Sequence, residues 1–441
     1  MVGNQKKIKQ IIFLLLIAIL IKACVPLQPT TSSGSDARVN FPTINYITTT
    51  YSGNIKTVQL VNFKDGQLIS TNNPVVELGK NQKLVLSFDD LNSQHQVFQA
   101  KILHLNKDWT KKSNLLAMDY LYDYNQFTIR DYEYSFDTKV PYVHYTLELP
   151  PVKISGNYLL VVYRGNNEED IVLSERFMVY EDKVQIGYKI VPSNVVSQRR
   201  THQEVQFNVF LSDIQVLNAG SDIYPIIRQN SNWLNAIQPP PPMRLTDQNK
   251  RLVYEYYNGE LNFPGINEFR FIDLTTVNFT GANVIAINKD KTPVTALGGI
   301  DQARGAQAYR EWNDRNGGFV IGNRERQTNE LVTDYFETTF QLDVPQKTED
   351  IYIIGEFNNW EINEKSRMKY DPTVGRYLNK YLLKQGYYEY LYFTRQDPNY
   401  EIPGNHIDTE NEYDISVYYA NPQLRYDQLI GYVKFNSRAA R

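Results

Sequence analysis

The stretch His144-Tyr145-Thr146-Leu147-Glu148-Leu149 shows the pattern that decides the fold class. Its side chains alternate between polar and apolar, which is typical of a β-strand with one buried face. The turn-forming cluster Ser155-Gly156-Asn157 follows it, and a second strand-like run begins at that cluster. No stretch of comparable length has convincing helical periodicity. This part of the sequence therefore predicts strands joined by turns.

Strand signals of this kind recur along the whole chain. The predicted strands are 56–62, 83–88, 97–105, 142–149, 157–163, 174–180, 205–211, 224–229, 252–257, 267–273, 336–342, 351–354, 377–382, 387–393 and 412–419. The chain also contains 33 Tyr and 20 Phe, residue types that favour strands. We therefore predict an all-β protein of three serial immunoglobulin-like β-sandwiches.

The predicted domains follow from the spacing of these strands and from the polar passages between them. Residues 51–182 form an N-terminal sandwich, 183–333 a middle sandwich with long polar loops, and 334–433 a C-terminal immunoglobulin-like domain, with a tail at 434–441. A chain of 441 residues is long enough for three such cores. A net charge of −3 gives no reason to expect a nucleic-acid partner.

The N-terminus has the features of a bacterial secretory signal. Lysines at positions 6, 7 and 9 precede an apolar run from 11 to 21, which is too short to span a bilayer. Cys24 is the one cysteine of the chain, so it cannot form an internal disulfide. The segment resembles a lipobox with Lys22 at a position usually small or apolar. We expect residues 1–23 to be a lipoprotein signal peptide, with Cys24 lipidated at the start of a flexible tether (24–50). The alternative is an ordinary secretory signal with an incidental cysteine.

Residues 350–360 and 386–390 carry a recognisable pair of motifs. The first contains Gly355-Glu356-Phe357-Asn358-Asn359-Trp360 after a strand, and the second is Gly386-Tyr387-Tyr388-Glu389-Tyr390. Together they resemble the immunoglobulin-like glycogen- and starch-binding modules. That resemblance implies that Trp360 could stack on a sugar ring. The alternative is that Phe357 and Trp360 close the end of the sandwich core.

Stretches spread over most of the chain carry a wider resemblance. They are LSFDDL at 86–91, AKILHLNKDW at 100–109, DYEYSFDT at 131–138, PYVHY at 141–145, SGNY at 155–158, RFMV at 176–179, RQN at 228–230, FPG at 263–265, TENEY at 409–413 and RYDQLIG at 425–431. They resemble the type IX secretion system plug proteins of Bacteroidetes, formerly a domain of unknown function. The resemblance extends from about residue 74 to residue 431.

This resemblance implies a non-catalytic partner of the giant outer-membrane β-barrel translocon of type IX secretion. Such a protein would cover the periplasmic opening of the empty barrel and leave when cargo arrives. Surface-exported lipoproteins of that phylum usually carry acidic residues just behind the cysteine, whereas none follows Cys24 here until Asp36. The resemblance therefore implies a lipid-anchored position on the periplasmic face of the outer membrane. No small-molecule substrate is expected.

One polar loop gathers the residue types that usually anchor interfaces. Its candidate partner-binding residues are Arg304, Tyr309, Arg310, Trp312 and Arg315. The alternative is that Tyr309 and Trp312, three residues apart, pack a single helical turn onto the middle sandwich.

The motifs of common enzymes are missing from the sequence. It contains no H-E-x-x-H, no phosphate-binding glycine loop and no G-x-S-x-G, and its five histidines are scattered. We therefore predict no enzyme activity, no catalytic or metal-binding residue and no cofactor. The alternative function is that of a glycan-binding lipoprotein of a polysaccharide-uptake system, resting on Trp360. A glycoside hydrolase ranks last.

Overall fold

Paired β-strands form nearly all of the regular structure, which confirms the predicted all-β class. The computed structural model describes residues 43–70, 73–211, 214–246, 248, 250–326, 330–397 and 399–440. The predicted signal peptide and Cys24 lie outside these residues. Within the described ranges, no helix is long and apolar enough to cross a membrane.

The strands follow one another along the chain with few helical interruptions. They are β1 (Thr49–Thr50), β2 (Ile55–Lys64), β3 (Gln67–Ser70), β4 (Val75–Glu77), β5 (Gln82–Asp90), β6 (Phe98–Leu105), β7 (Phe127–Ile129), β8 (Asp131–Tyr134), β9 (Val143–Glu148), β10 (Gly156–Arg164), β11 (Ile171–Tyr180), β12 (Gln185–Pro192), β13 (His202–Phe210), β14 (Ile223–Gln229), β15 (Arg244–Thr246), β16 (Arg251–Tyr254), β17 (Asn262–Pro264), β18 (Arg270–Asp273), β19 (Val284–Asn288), β20 (Val294–Gln302), β21 (Phe319–Ile321), β22 (Tyr335–Asp343), β23 (Tyr352–Ile354), β24 (Lys369–Asp371), β25 (Arg376–Lys384), β26 (Gly386–Phe393), β27 (Glu412–Tyr419) and β28 (Gln428–Asn436). The helical elements are α1 (Ala117–Tyr120), α2 (Ala219–Asp222) and short 3₁₀ turns at Val196–Gln198, Trp233–Asn235, Glu330–Val332 and Glu356–Asn358.

The N-terminal sandwich consists of two facing sheets. Sheet I has the order β1-β11-β10-β6-β7 with β4 beside β11, and sheet II has the order β3-β2-β5-β9-β8. Between them, the rings of Phe88 and Tyr145 stack at 5.2 Å, and Phe98 packs edge-on against both. Phe88 and Tyr145 lie opposite each other in the pairing of β5 with β9. In β9 the buried Val143 and Tyr145 alternate with the half-buried His144, which is the arrangement that the alternating sequence predicts.

The other two sandwiches interleave along the chain. Sheet III (β12-β13-β16-β15 with β17) faces sheet IV (β14-β27-β28), and their apolar side chains form one core. Sheet V (β18-β26-β21 with β23) faces sheet VI (β19-β20-β22-β25-β24), and these two share another core. Strands from 412–436 therefore complete the middle sandwich, whereas strands from 270–321 belong to the last one.

The predicted division between residues 333 and 334 does not coincide with a division between these cores. The physical reason is the pairing of β27 with β14, which runs from Ile223 opposite Tyr419 to Gln229 opposite Tyr413. This pairing gives sheet IV the apolar face that covers sheet III. The polar passage 281–326, which contained no predicted strand, also forms β19, β20 and β21.

Sheet I is buried on both of its faces. In β10, Leu160 and Val162 point into the N-terminal core, whereas Leu159 and Val161 point the other way. This second face, which also includes Leu103, Leu105 and Met178, packs against Ile226, Tyr418 and Leu429 of sheet IV. The N-terminal and middle sandwiches are therefore joined through a continuous apolar layer.

A buried ion pair joins the N-terminal sandwich to the last one. Lys384 Nζ lies 2.7 Å from Asp89 Oδ2, and both side chains are fully buried. Tyr335 donates a hydrogen bond of 2.7 Å to the same carboxylate, His144 Nδ1 lies 2.6 Å from its other oxygen, and the ring of Tyr142 lies 4.4 Å from Lys384 Nζ. Burial alone would raise the pKa of Asp89, but Lys384 and His144 reverse this and lower it.

We expect Asp89→Asn to lower the free energy of unfolding by about 3–5 kcal/mol, because the buried ammonium of Lys384 would lose its counter-charge. Urea unfolding at neutral pH measures the loss. The matched control is Glu337→Gln, which breaks the exposed pair between Glu337 and Lys380 and should cost below about 1 kcal/mol. Equal losses in the two variants would contradict the role assigned to this junction.

Candidate functional site

A cavity of about 660 Å³ lies where the three sandwiches meet. Its wall combines both types of charge with aromatic rings. The residues that line it include Thr49, Val58, Trp109, Glu175, Arg176, Arg228, Trp233, Phe319, Glu356, Trp360, Glu361 and Ile362. Because these residues come from sheets I and II, sheet IV and sheet V with their connecting loops, the cavity depends on the packing of all three sandwiches.

Arg176 of β11 is the central cation of this wall. Its guanidinium carbon lies 4.6 Å from the ring of Trp109 and 5.2 Å from the ring of Trp233. Its Nε donates a hydrogen bond of 2.7 Å to the backbone oxygen of Tyr46. Burial and the nearby Arg228 lower the pKa of Arg176 to about 10, so it is still charged at neutral pH.

Arg228 of β14 is a second cation beside it, but this one is paired. Its Nε lies 3.0 Å from Asp414 Oδ1 of β27, and Nη2 donates a hydrogen bond of 3.0 Å to Asn73. Its guanidinium also lies 4.3 Å from the ring of Trp233. Burial alone would lower the pKa of Arg228, but Asp414 reverses this and raises it.

The opposite part of the wall carries carboxyl groups. Burial raises the pKa of Glu175, the strand neighbour of Arg176, to about 8. Burial also raises the pKa of Glu356, whose carboxylate accepts a hydrogen bond of 3.3 Å from the amide of Phe319. Glu361 accepts a hydrogen bond of 2.5 Å from the Thr49 hydroxyl. At neutral pH, Glu175 therefore favours its protonated form.

The structure divides the predicted partner-binding residues into two groups. Arg304, Tyr309 and Trp312 are partly buried and are held by the segment before β18. Arg304 Nη1 donates to the backbone oxygen of Glu268 over 2.8 Å, Trp312 Nε1 donates to that of Phe269 over 3.2 Å, and the Tyr309 hydroxyl donates to the Glu268 carboxylate. The segment is not helical, so the alternative of a single helical turn is wrong.

The other two residues of that prediction, Arg310 and Arg315, have exposed side chains. Their side chains are therefore accessible to a partner, and their partner-binding role stays a prediction. None of the five residues lines the cavity.

Trp360 does line the cavity, but as a buried ring. It is 9% exposed and packs edge-on against Phe269 at a centroid distance of 5.8 Å. Gly317 lies against the same ring, and a Cβ at that glycine would overlap it. This placement agrees with the predicted alternative in which Trp360 closes the end of the sandwich. The resemblance to sugar-binding modules stays a prediction.

Apart from Trp360, sequence reasoning did not single out the cavity residues as a site, although several lie in the stretches that carry the plug resemblance. Trp109, Arg176 and Arg228 belong to those stretches, and Trp233 follows one of them. The signal that could have identified them is the presence of Glu175 and Arg176 within an otherwise apolar strand. Among the described residues, no group of three or more His, Cys, Asp or Glu could hold a metal ion.

We expect the stability of the protein to depend on the protonation of Glu175. Its pKa is raised from 4.5 to about 8 in the folded state, so the folded state keeps a proton that the unfolded state releases. The free energy of unfolding should therefore fall as the pH rises between these two values, by up to about 1.4 kcal/mol per pH unit.

Urea unfolding at a series of pH values measures this slope, and Glu175→Gln should reduce it by the share that Glu175 contributes, because Glu356, Asp314 and Glu389 also have raised pKa values. The matched control is Glu169→Gln in the exposed turn before β11, which should keep the slope of the unmodified protein. An unchanged slope in Glu175→Gln would show that another group carries the pH dependence.

Comparison with known proteins supplies a family and a similar structure. Residues 55–181 match the sequence model described as the type 9 secretion system plug protein 1st domain. The crystal structure of a hypothetical protein from Parabacteroides merdae ATCC 43184 is similar, with a TM-score of 0.83 and 28% sequence identity. That alignment covers 89% of this chain and 100% of the other. A search of curated proteins gave no match.

The family match coincides with the N-terminal sandwich, since it begins at the first residue of β2 and ends just after β11. It confirms the resemblance that the sequence stretches of this region predicted. Residues 55–181 of this chain therefore form a first domain of the type IX secretion system plug family.

Proposed function

We propose that this protein is a non-catalytic outer-membrane lipoprotein that plugs the type IX secretion translocon. Lipidated Cys24 would hold it at the periplasmic face of the membrane, beside the giant β-barrel. The three sandwiches would cover the periplasmic opening of the empty barrel and leave when cargo arrives. Family membership carries the coarser part of this proposal, namely a cell-envelope protein associated with type IX secretion.

The observation that carries the proposal is the plug-domain match at residues 55–181. The fold is compatible with the role, because a cover over a wide opening must keep its parts in a fixed arrangement. Here the N-terminal sandwich is tied to the middle one by an apolar layer and to the last one by the buried pair of Asp89 and Lys384. Strands of the middle and last sandwiches alternate along the chain, so neither sandwich is one continuous segment.

The contact with the barrel should be reversible, and the exposed side chains suit that requirement. A specific contact buries roughly 1,200–2,000 Å² of surface, and a transient one is mixed in polarity. Arg310 and Arg315 supply exposed cations. The connection around α1 supplies exposed apolar side chains, including Met118 at 72% and Tyr124 at 83% exposure.

The proposal predicts that a tagged copy, purified from its native membrane in mild detergent, recovers a giant outer-membrane barrel in near-equal amount. Removing the protein should make the outer membrane leak a probe that the intact membrane excludes. Barrels isolated with bound cargo should lack the plug, because both occupy the same opening. Recovery of the protein alone, or of plug and cargo together on one closed barrel, would contradict the proposal.

The double variant Arg310→Glu, Arg315→Glu should lower barrel recovery by about tenfold or more, because two interface cations become anions. The control is Arg199→Glu, which reverses an exposed charge on a different loop and should leave recovery unchanged. Thermal unfolding midpoints of both variants should equal that of the unmodified protein. Full recovery of the barrel with the double variant would show that the contact with the barrel does not include this loop.

A further inference from the structure

Arg176 is a partly buried cation in a setting where charges are normally paired. Its Nε has a backbone partner, but within the described ranges neither Nη1 nor Nη2 has a hydrogen-bond partner, and no carboxylate forms an ion pair with the guanidinium. The neighbouring Arg228 shows the contrast, because Asp414 and Asn73 occupy its guanidinium. The fork of Arg176 is therefore free beside a cavity.

The rings on either side of Arg176 hold this fork in place. Trp109 and Trp233 lie on the guanidinium at 4.6 and 5.2 Å, and these two rings also contact each other edge-on at 5.3 Å. A guanidinium that is held by stacking and has two free nitrogens matches the planar geometry of a carboxylate, which can accept two parallel hydrogen bonds. The site is thus preorganised for one monoanionic group.

The rest of the cavity indicates what should be attached to that group. Its volume of about 660 Å³ lies within the range of small-ligand sites, roughly 300–1,000 Å³. Val58, Trp233 and Ile362 supply apolar wall. Glu175 and Glu356 would repel an anion if they were charged, but burial raises the pKa of both carboxyl groups, that of Glu175 to about 8.

We propose that this cavity binds a ligand with a carboxylate group on an apolar body, with the carboxylate on the free fork of Arg176 and the body against the apolar wall. Two sources share this chemistry: a small organic acid and the C-terminal carboxylate of a peptide. The proposal does not depend on the contact with the barrel. It assigns the junction of the three sandwiches a binding role of its own.

Tryptophan fluorescence of the full-length protein in mild nonionic detergent provides the test, because three of its four tryptophans line the cavity. The probes are octanoate against octanol, and a hydrophobic tripeptide with a free against an amidated C-terminus. We expect at least one acid to change the emission saturably and its neutral partner to bind at least about tenfold more weakly. The acid that binds identifies the source.

Arg176→Gln should weaken binding of that acid by about tenfold or more, whereas Arg199→Gln, on an exposed loop, should leave it unchanged. If Arg176→Gln does not fold, the test is the thermal unfolding midpoint of the unmodified protein. The acid should raise this midpoint, and its neutral partner compound should not. Three results would overturn the proposal. These are failure of both acids to bind, equal binding of acid and neutral partner, and equally tight binding of inorganic phosphate.

Discussion

The burial of sheet I on both faces is the constraint on which the other parts of the structure depend. An antiparallel sheet usually leaves one face to water, but Leu159 and Val161 of β10 are as buried as Leu160 and Val162. The second face needs an apolar cover, and here sheet IV supplies it. Because β27 and β28 come from the end of the chain, covering this face brings the C-terminal segment back to the middle of the molecule.

This arrangement explains which parts of the fold were predictable from the sequence. Alternation within a strand is local, so every predicted strand overlaps an observed one, and β27 has the predicted bounds of 412–419. The partner of a strand is a non-local choice that depends on which apolar faces need cover. In β10 the sequence shows that no face is exposed to solvent, because the run is Asn157-Tyr158-Leu159-Leu160-Val161-Val162-Tyr163. It does not show that β14 and β27 are the strands that cover the second face of β10. The serial boundary at 333 was therefore the least predictable feature.

The same distinction applies to the sites. The loop at 304–315 was predicted as an interface because its aromatic and basic residues are close together in the sequence. In the structure, Arg304, Tyr309 and Trp312 donate hydrogen bonds to residues 268 and 269, which are distant in sequence. The cavity has the opposite character, because Trp109, Arg176 and Trp233 meet only through tertiary packing. Glu175 and Arg176 are adjacent in β11 and point to opposite faces, so their shared cavity extends around the edge of sheet I.

Polar pairs and apolar layers have different effects at the junctions between the sandwiches. The apolar layer between sheets I and IV supplies free energy in proportion to the area it buries, but such contacts tolerate sliding. A buried ion pair contributes little net stability, since desolvation offsets attraction, yet it is costly to separate. Asp89 with Lys384 spans the junction between the N-terminal and last sandwiches, whereas Arg228 with Asp414 joins two neighbouring strands of sheet IV. We infer that the pair of Asp89 and Lys384 sets the register of these two sandwiches, while apolar burial holds sheets I and IV together. A body assembled in this way keeps its parts in one arrangement, and it also keeps open the cavity whose free cation, Arg176, lies between them.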